Sequence, residues 1–251
     1  MGSRILFLAP AGSKPAFGAT NTDSNRWRSL LAKACHVRGE TYLKDGAIKT
    51  EDLDSNGGFS IPLDHSSWHM ALMDDEERIS ATLRLTSLPI DSKKRKGSLP
   101  HVGESIRRSA TDPLSSRLAL ERYLSGMGLT FGSERATFLV VGGWATSPTL
   151  ALPGAGAELA LAAWAYARMS QAAGAICVAS ERHDAHGQLV RTGAVPILAV
   201  NSKEMYYDPA YSCHVGILGF RVFQERRALR RAVDQLTERI NDSEVVINSA
   251  A

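Results

Sequence analysis

The chain has 251 residues, of which 44% are hydrophobic and 22% are charged, with a formal net charge of +3. This composition supports a folded core and excludes disorder over most of the length. The sequence also has no uninterrupted apolar stretch of the roughly 20 residues that a membrane span requires. Three widely spaced cysteines without a CxxC pattern argue against a disulfide framework, and the short apolar run after Arg4 is not a signal-peptide core, so a cytoplasmic protein is expected.

The first third of the chain predicts an arm, a helix and a hairpin. Residues 1–25 are expected to form a mobile arm because the segment 10–25 is rich in Gly, Ser, Asn and Pro. From Asn25, a candidate N-cap, apolar residues recur at helical spacing to about Tyr42. WHMALM and ISATLRL flank the polar DDEER and predict an antiparallel hairpin. Residues 86–112, which contain KKRKG, predict a long surface loop.

The rest of the chain alternates strands and helices. Residues 114–124 predict a helix, and ATFLVVGGWAT predicts a strand. A Gly-rich turn and an Ala-rich helix ending at Gly174 follow, then the strand AICVAS and a short helix closed by Gly193. Two strands lie around YYDPAY, and an amphipathic helix covers about 221–240. This order predicts one α/β domain over residues 26–251 with a mixed sheet.

Two glycine-rich features in this order bear on chemistry. Gly142 and Gly143 interrupt an otherwise apolar strand, which indicates a bulge or a close approach of a ligand or another backbone. Gly154, Ala155, Gly156 and Ala157 open a helix, whose N-terminal N–H groups favour an anion such as the phosphate of phosphopantetheine. The turn matches neither a P-loop nor a complete GxGxxG, and a plain turn packed on the sheet is the alternative.

The order of elements resembles the acyl-CoA N-acyltransferase (GNAT) superfamily. The first half is similar to the acyl-homoserine-lactone (autoinducer) synthases and to the N-acyl amino acid synthases of the FeeM type, through RGETYL, DLD, Asp64 and the Arg-Leu that closes the second hairpin strand. The resemblance covers about residues 27–220. It implies a single GNAT-like α/β domain whose mixed central sheet is flanked by helices on both faces, with strands splayed near the Gly-rich turn.

The activity that the resemblance implies is N-acyl transfer. A fatty acyl group would move from an acyl carrier protein or CoA thioester to the amine of an amino acid or a related small molecule, with no tightly bound cofactor. Basic residues around Arg107 and Arg108 and along 221–231 would meet the acidic carrier protein, and nucleic acid is not an expected partner because the Arg-rich helix lacks interleaved aromatics. Two alternatives stay open: a short-chain acetyl-CoA-dependent N-acetyltransferase, and a catalytically degenerate GNAT-fold binding module. The second arises because lactone synthases carry a Glu and an Arg where this chain has VVGGWA.

Candidate site residues follow from the resemblance and from side-chain chemistry. The backbone of Gly143, Trp144 and Ala145 would polarise the thioester carbonyl, with Asp54, Asp64 and Tyr211 as candidates for proton transfer. Substrate would contact Arg38, Arg84, Phe138, Val140 and Gly142, and the phosphopantetheine would contact Gly154, Ala155, Gly156 and Ala157. The arginines could instead form a structural ion pair, and the aspartates could be turn formers.

No metal site and no thiol dyad are predicted. His183 and His186 lack a third ligand, and Cys213 and His214 are neighbours on a predicted strand, where they point to opposite faces.

Overall fold

The computed structural model describes residues 3–89, 118–120, 122–123, 137–197, 205–209, 211–221 and 227–249. These residues belong to two compact units. The first unit comprises residues 1–86, 142–166 and 231–251, and the second comprises residues 87–141 and 167–230. The predicted basic run KKRK, the residues Arg107 and Arg108, and most of the predicted helix 114–124 lie outside the described residues, although 118–120 and 122–123 are helical.

Helix α1 (Ser24–Lys44) supports the first unit, and its prediction is confirmed. Its apolar stripe, which includes Trp27, Leu30 and Leu31, is buried as the spacing predicted. Asp23, not Asn25, is the N-cap, because the Asp23 side chain accepts hydrogen bonds from the backbone N–H groups of Asn25 and Arg26.

The N-terminal arm is a wrong prediction. Strand β1 (Arg4–Ala9) lies inside the sheet, antiparallel to β3 (Trp68–Met73) and parallel to β10 (Glu244–Ile247), while β2 (Ala19–Thr22) is parallel to β10. Of the segment 10–25 that suggested an arm, residues 10–18 connect β1 to β2, Ala19–Thr22 form β2, and α1 begins at Ser24. The C-terminal strand β10 was not predicted, and it covers the edge of β1 that would otherwise stay unpaired.

The hairpin and the glycine-containing strand were predicted correctly. β3 and β4 (Ile79–Pro89) are antiparallel, with Trp68 opposite Leu85 and His69 opposite Arg84. β5 (Thr137–Thr146) lies beside β4, so the sheet of the first unit runs in the order β2-β10-β1-β3-β4-β5. Because β1 is parallel to β10 and antiparallel to β3, this sheet is mixed, as expected.

Helices pack on both faces of the first unit's sheet. Leu6 and Leu8 of β1 contribute to a buried cluster with Trp27 and Leu30 of α1. Phe7, which points to the opposite face, stacks on Tyr166 of α2 (Ala155–Met169), with the ring centroids 5.7 Å apart. The α1 and α2 helices therefore cover opposite faces, which is the layered α/β arrangement predicted from the sequence.

The end of α2 differs from the prediction. The helix ends at Met169, five residues before Gly174, and Gly174 is the first residue of β6 (Gly174–Ser180). Gln171 takes a left-handed conformation with φ 53°, so the chain leaves the helix before the glycine is reached.

The second unit contains the N-terminal part of β5 and the remaining strands. Phe138–Val141 pair in parallel with Gly174–Cys177, and this ladder ends at Val141, one residue before the glycine pair. β6 is antiparallel to β9 (Cys213–Arg221), which also pairs with β7 (Val195–Pro196) and β8 (Tyr206–Asp208). Helix α3 (Ala185–Arg191) follows β6, and Gly193, with φ 101°, ends it as predicted.

Helix α4 (Arg227–Asn241) covers most of the helix predicted for about 221–240, although Arg221 itself is the last residue of β9. Its buried residues are Val233, Leu236 and Ile240, whereas Arg227, Arg230 and Arg231 are exposed. Within the described part of the chain, no helix has the length and apolarity to cross a membrane.

Candidate active site

A buried carboxylate joins two arginines in the first unit. Asp64 lies in a single-turn 3-10 helix (Pro62–Ser66) between α1 and β3, and its side chain is fully buried. Arg38 of α1 donates from Nη1 to Asp64 Oδ1 at 2.9 Å and from Nη2 to Oδ2 at 2.8 Å, while Arg84 of β4 donates from Nη1 to Oδ1 at 3.1 Å. Three separate elements of the first unit are therefore held together by one carboxylate.

Asp64 is ionised in this setting. Burial would raise the pKa of Asp64, but the hydrogen bonds and charge of Arg38, the Ile61 backbone N–H and the charge of Arg84 outweigh burial and lower it to about 2. Burial likewise would lower the pKa of Arg38, and the hydrogen bond and charge of Asp64 raise it instead. A carboxylate that is saturated and ionised in this way has no proton to donate, so its geometry suits positioning of the two guanidinium groups.

His69 completes the cluster in its neutral form. Its Nε2 lies 2.9 Å from the backbone carbonyl oxygen of Asp64, and burial is the main reason that its pKa falls to about 4. At neutral pH the cluster therefore holds two positive charges, from Arg38 and Arg84, and one negative charge, from Asp64. Among the residues that the structure describes, no further charge balances the resulting net charge of +1, and a buried unbalanced charge is costly.

The glycine pair lies directly against these arginines. Gly143 has φ +60°, the left-handed conformation that the first residue of a G1 bulge adopts, and its prediction as a bulge agrees with this geometry. A Cβ on Gly142 would lie 3.1 Å from Nη2 of Arg84, and one on Gly143 would lie 3.2 Å from Nη1 of Arg38. A Cβ at either position would press on a guanidinium group, and the left-handed φ of Gly143 disfavours a side chain there as well.

The backbone at Gly142 and Gly143 is only half-buried. Gly142, Gly143 and Trp144 are half-buried, whereas Val141 before them and Ala145 after them are buried. Tyr42 Oη donates to the carbonyl of Trp144 at 3.3 Å, and Thr41 Oγ1 donates to the carbonyl of Thr146 at 2.9 Å. Two consecutive side chains of α1 therefore fix the strand at Trp144 and at Thr146.

The predicted phosphate turn lies on the other face of the same strand. A Cβ on Gly156 would lie 3.1 Å from the Trp144 ring, so the indole packs against the start of α2. Gly154 is exposed, has φ +86° and has open space around its Cα, while Gly156 and Ala157 are half-buried. The N–H of Ala155 already donates to Leu152. Glu158 in the first turn of the helix forms an ion pair with Arg239, which offsets its negative charge.

Asp54 is placed apart from the buried cluster. It is exposed, and its Oδ1 accepts from the backbone N–H groups of Asn56 and Gly58, which are the main cause of its lowered pKa. This is the geometry of a turn former. The same loop explains the glycine after Arg38, because a Cβ on Gly39 would collide with the carbonyl oxygen of Gly57.

Three predicted site residues belong to the second unit. Phe138 and Val140 are buried on β5, and Tyr211 is 37% exposed in the turn between β8 and β9, where its carbonyl accepts from Arg182. Their proposed roles in acyl-chain binding and in proton transfer stay predictions.

Cys213 and His214, which the sequence analysis did not predict to form a thiol dyad, lie in the second unit. Cys213 is buried whereas the neighbouring His214 is exposed and pairs with Glu181, so the two side chains point to opposite faces as expected. Among the described residues, no group of three or more His, Cys, Asp or Glu could hold a metal ion.

Sequence reasoning missed His69 and Cys35. His69 faces Arg84 across the hairpin, which the register of the two predicted strands could have revealed. Cys35 precedes Arg38 by three residues on α1, and its Sγ accepts from Nη2 of Arg38 at 2.8 Å, a contact that the helical spacing permits.

Comparison of the sequence with known proteins gives no match, either to a protein-family model or to a curated protein. Solved structures do match. The CoA-dependent acyl-homoserine lactone synthase BjaI, with SAM and isopentyl-CoA, is 13% identical, with a TM-score of 0.55 over 100% of this chain and 95% of that chain. The synthase LasI is 9% identical, with a TM-score of 0.53 over 91% and 95%.

FeeM, an N-acyl amino acid synthase from uncultured soil microbes, is 14% identical, with a TM-score of 0.50 over 89% of this chain and 93% of that chain. The chain therefore has the fold of these proteins over almost all of its length. The resemblance that the sequence indicated is confirmed at the level of the fold, together with the mixed α/β architecture.

Proposed function

We propose that this protein is an N-acyltransferase that moves an acyl group from a phosphopantetheine thioester to the primary amine of an amino acid or a related small molecule. The observation that carries the proposal is the half-buried stretch Gly142–Trp144, which interrupts an otherwise buried strand beside a buried cluster of charge +1. The fold shared with BjaI, LasI and FeeM supports the same reaction class.

The reaction needs little side-chain chemistry. The amine nitrogen attacks the thioester carbonyl carbon, a C–N bond forms, the C–S bond breaks, and the departing thiolate takes up the proton that the amine loses. Backbone N–H groups of Gly143, Trp144 and Ala145 would polarise the carbonyl, a contribution often worth several kcal/mol. Residues Gly154 to Ala157, in the same unit, would hold the phosphate of the pantetheine arm.

The direct test is an acyl-transfer assay. The protein is incubated with acyl-CoA and with acyl carrier protein thioesters of increasing chain length, together with a pool of amino acids and simple amines, and N-acyl products are identified by mass spectrometry. Product from long acyl chains supports the proposal. Product from acetyl-CoA alone indicates the short-chain N-acetyltransferase, and thioester binding without any product indicates a binding module.

Substitution of Gly143 tests whether the glycine pair is the reaction site. We expect Gly143→Ala to lower kcat/KM about tenfold or more, because the left-handed backbone disfavours alanine by about 1–2 kcal/mol and the new Cβ would press on Arg38 and Arg84. Gly12→Ala is the matched control, since Gly12 has a similar φ of +77° but no heavy atom within 4 Å of the place that a Cβ would take. Equal kcat/KM values for the two variants would contradict the assignment of the site.

Substitution of the exposed arginines of α4 can show whether the acyl donor is a carrier protein thioester or acyl-CoA. We propose that Arg227, Arg230 and Arg231 contact an acidic carrier protein, because they are exposed near the start of the helix, opposite its buried face. We expect the triple substitution to Glu to raise KM for an acyl carrier thioester about tenfold, with a much smaller effect on acyl-CoA and a weaker dependence on salt. All three side chains are exposed, and an acidic residue at Arg227, in the first helical turn, is favourable, so α4 should remain folded. Equal changes in KM for both donors would contradict a contact between these arginines and a carrier protein.

A further inference from the structure

The two arginines of the buried cluster differ in the donors that remain free. Arg38 directs both Nη atoms to Asp64, and its Nη2 also contacts Cys35, so only its buried Nε is left without a hydrogen-bond partner. Arg84 uses only Nη1, which donates to Asp64. The Nε of Arg84 is buried without a hydrogen-bond partner, and its Nη2 has none among the described residues. The complete Nε–Nη2 edge of Arg84 is therefore unused.

This edge lies against the half-buried backbone of Gly142. Nη2 of Arg84 is 3.1 Å from the position that a Cβ on Gly142 would take, so it lies over the Cα of a half-buried glycine. Arg84 itself is 7% exposed. A ligand that reaches Gly142 would meet an arginine edge that is desolvated and already oriented.

Charge and shape both identify the ligand group. The cluster has one positive charge more than it has negative charge, and a bound anion would compensate it. The Nε–Nη2 edge offers two parallel N–H donors, which match the two oxygens of a carboxylate. Asp64 holds the opposite side of the guanidinium group and fixes its plane.

We propose that the Nε–Nη2 edge of Arg84 binds the carboxylate of the acyl acceptor, with Asp64 as a positioning residue, and that this contact selects amines that carry a carboxylate. The inference rests on the proposed N-acyltransferase function and adds to it the residue that recognises the acceptor. Arg38 supports the cluster and does not contact the acceptor.

The test compares matched acceptors. The wild-type protein is assayed with one amino acid as the free acid, as its primary amide and as the corresponding amino alcohol. We expect kcat/KM for the free acid to exceed that for the amide and the alcohol about 100-fold. Arg84→Lys, which keeps the charge but loses the planar pair of donors, should reduce this ratio to below tenfold. Arg78→Lys, the same change at an exposed ion pair with Asp74 in the same hairpin, should keep the wild-type ratio.

A binding measurement on the wild-type protein separates the two proposals. With ¹⁵N-labelled arginine, the Nε resonance of Arg84, assigned by its loss in Arg84→Lys, should shift on titration with the free amino acid and not with its amide. If the acid, amide and alcohol are acylated equally, or if the Nε resonance does not respond, the inference is overturned while N-acyl transfer stands. If no amine is acylated at all, the proposed function fails, and the Nε titration still decides whether Arg84 binds a carboxylate.

Discussion

Replacement of Asp64 by asparagine is expected to lower the free energy of unfolding by about 3–5 kcal/mol, because it leaves two buried guanidinium groups without a counter-charge. The substitution preserves the size and shape of the side chain, so the loss measures charge compensation and hydrogen bonding instead of packing. Urea denaturation followed by circular dichroism at neutral pH would measure the change in the free energy of unfolding.

Asp54→Asn is the control for this substitution. Asp54 has the same chemistry and a lowered pKa, but it is exposed and its oxygens accept hydrogen bonds only from backbone N–H groups of its own turn. We expect a much smaller loss of stability at this position. Similar losses for the two variants would mean that Asp64 does not carry the charge balance of the cluster.

The buried cluster also explains the glycine pair physically. Guanidinium groups are planar and wide, and those of Arg38 and Arg84 lie so close to β5 that a Cβ on Gly142 or Gly143 would press on them. The left-handed φ of Gly143 then turns the backbone so that Gly142 and Gly143 both lie over the arginines. Glycine at these positions therefore serves two purposes: it admits the arginines below, and it leaves the backbone above open to a ligand.

Local patterns in the sequence were sufficient for most of the elements. The apolar stripe of α1, the alternation in β3 and β4, and the apolar run of β5 each contain their own signal, because each element buries one face or both. The sequence order of these elements then carried the resemblance to a fold. The positions of helix ends were less predictable, since α2 ends at Met169 through a left-handed Gln171 and the visible glycine begins the next strand.

Long-range pairing was not predictable in the same way. β1 has only six residues, and its partner β10 lies at the other end of the chain. Neither segment contains information about the other, and the loop residues between β1 and β2 have the composition of a flexible arm. The pairing depends on the whole sheet being assembled, which no short window of sequence describes.

The site was predictable residue by residue but not as an arrangement. Arg38, Arg84, Asp64 and the glycine pair were each selected for their chemistry. The sequence could not indicate that Asp64 contacts both arginines, that Arg38 has no free Nη, or that His69 is buried beside them. These facts decide the roles: a buried carboxylate shared by two arginines serves as a positioning group, and the unused edge of Arg84 becomes the binding group.

His69 should make the fold sensitive to mild acid. In the unfolded chain its pKa is near the ordinary 6.5, whereas burial lowers the folded pKa to about 4, so the unfolded state binds more protons between these values. Stability is then fully present above about pH 6.5 and is lost as the pH falls toward 4, by about 3 kcal/mol from this residue. Asp64, whose folded pKa is about 2, contributes in a separate window, because its stabilisation is present above its ordinary value of 3.8 and is lost as the pH falls toward 2.

The pH dependence can be assigned by substitution. His69→Gln keeps a side-chain N–H that can donate to the carbonyl of Asp64, but it does not titrate, so its unfolding free energy should fall less steeply than that of the wild type between pH 6.5 and 4. His65→Gln, at an exposed position four residues earlier, should keep the wild-type slope. Urea denaturation at half-unit pH intervals would measure both slopes. Parallel curves for His69→Gln and the wild type would contradict a buried neutral His69, and with it the net charge of +1 on which the binding of an anionic acceptor depends.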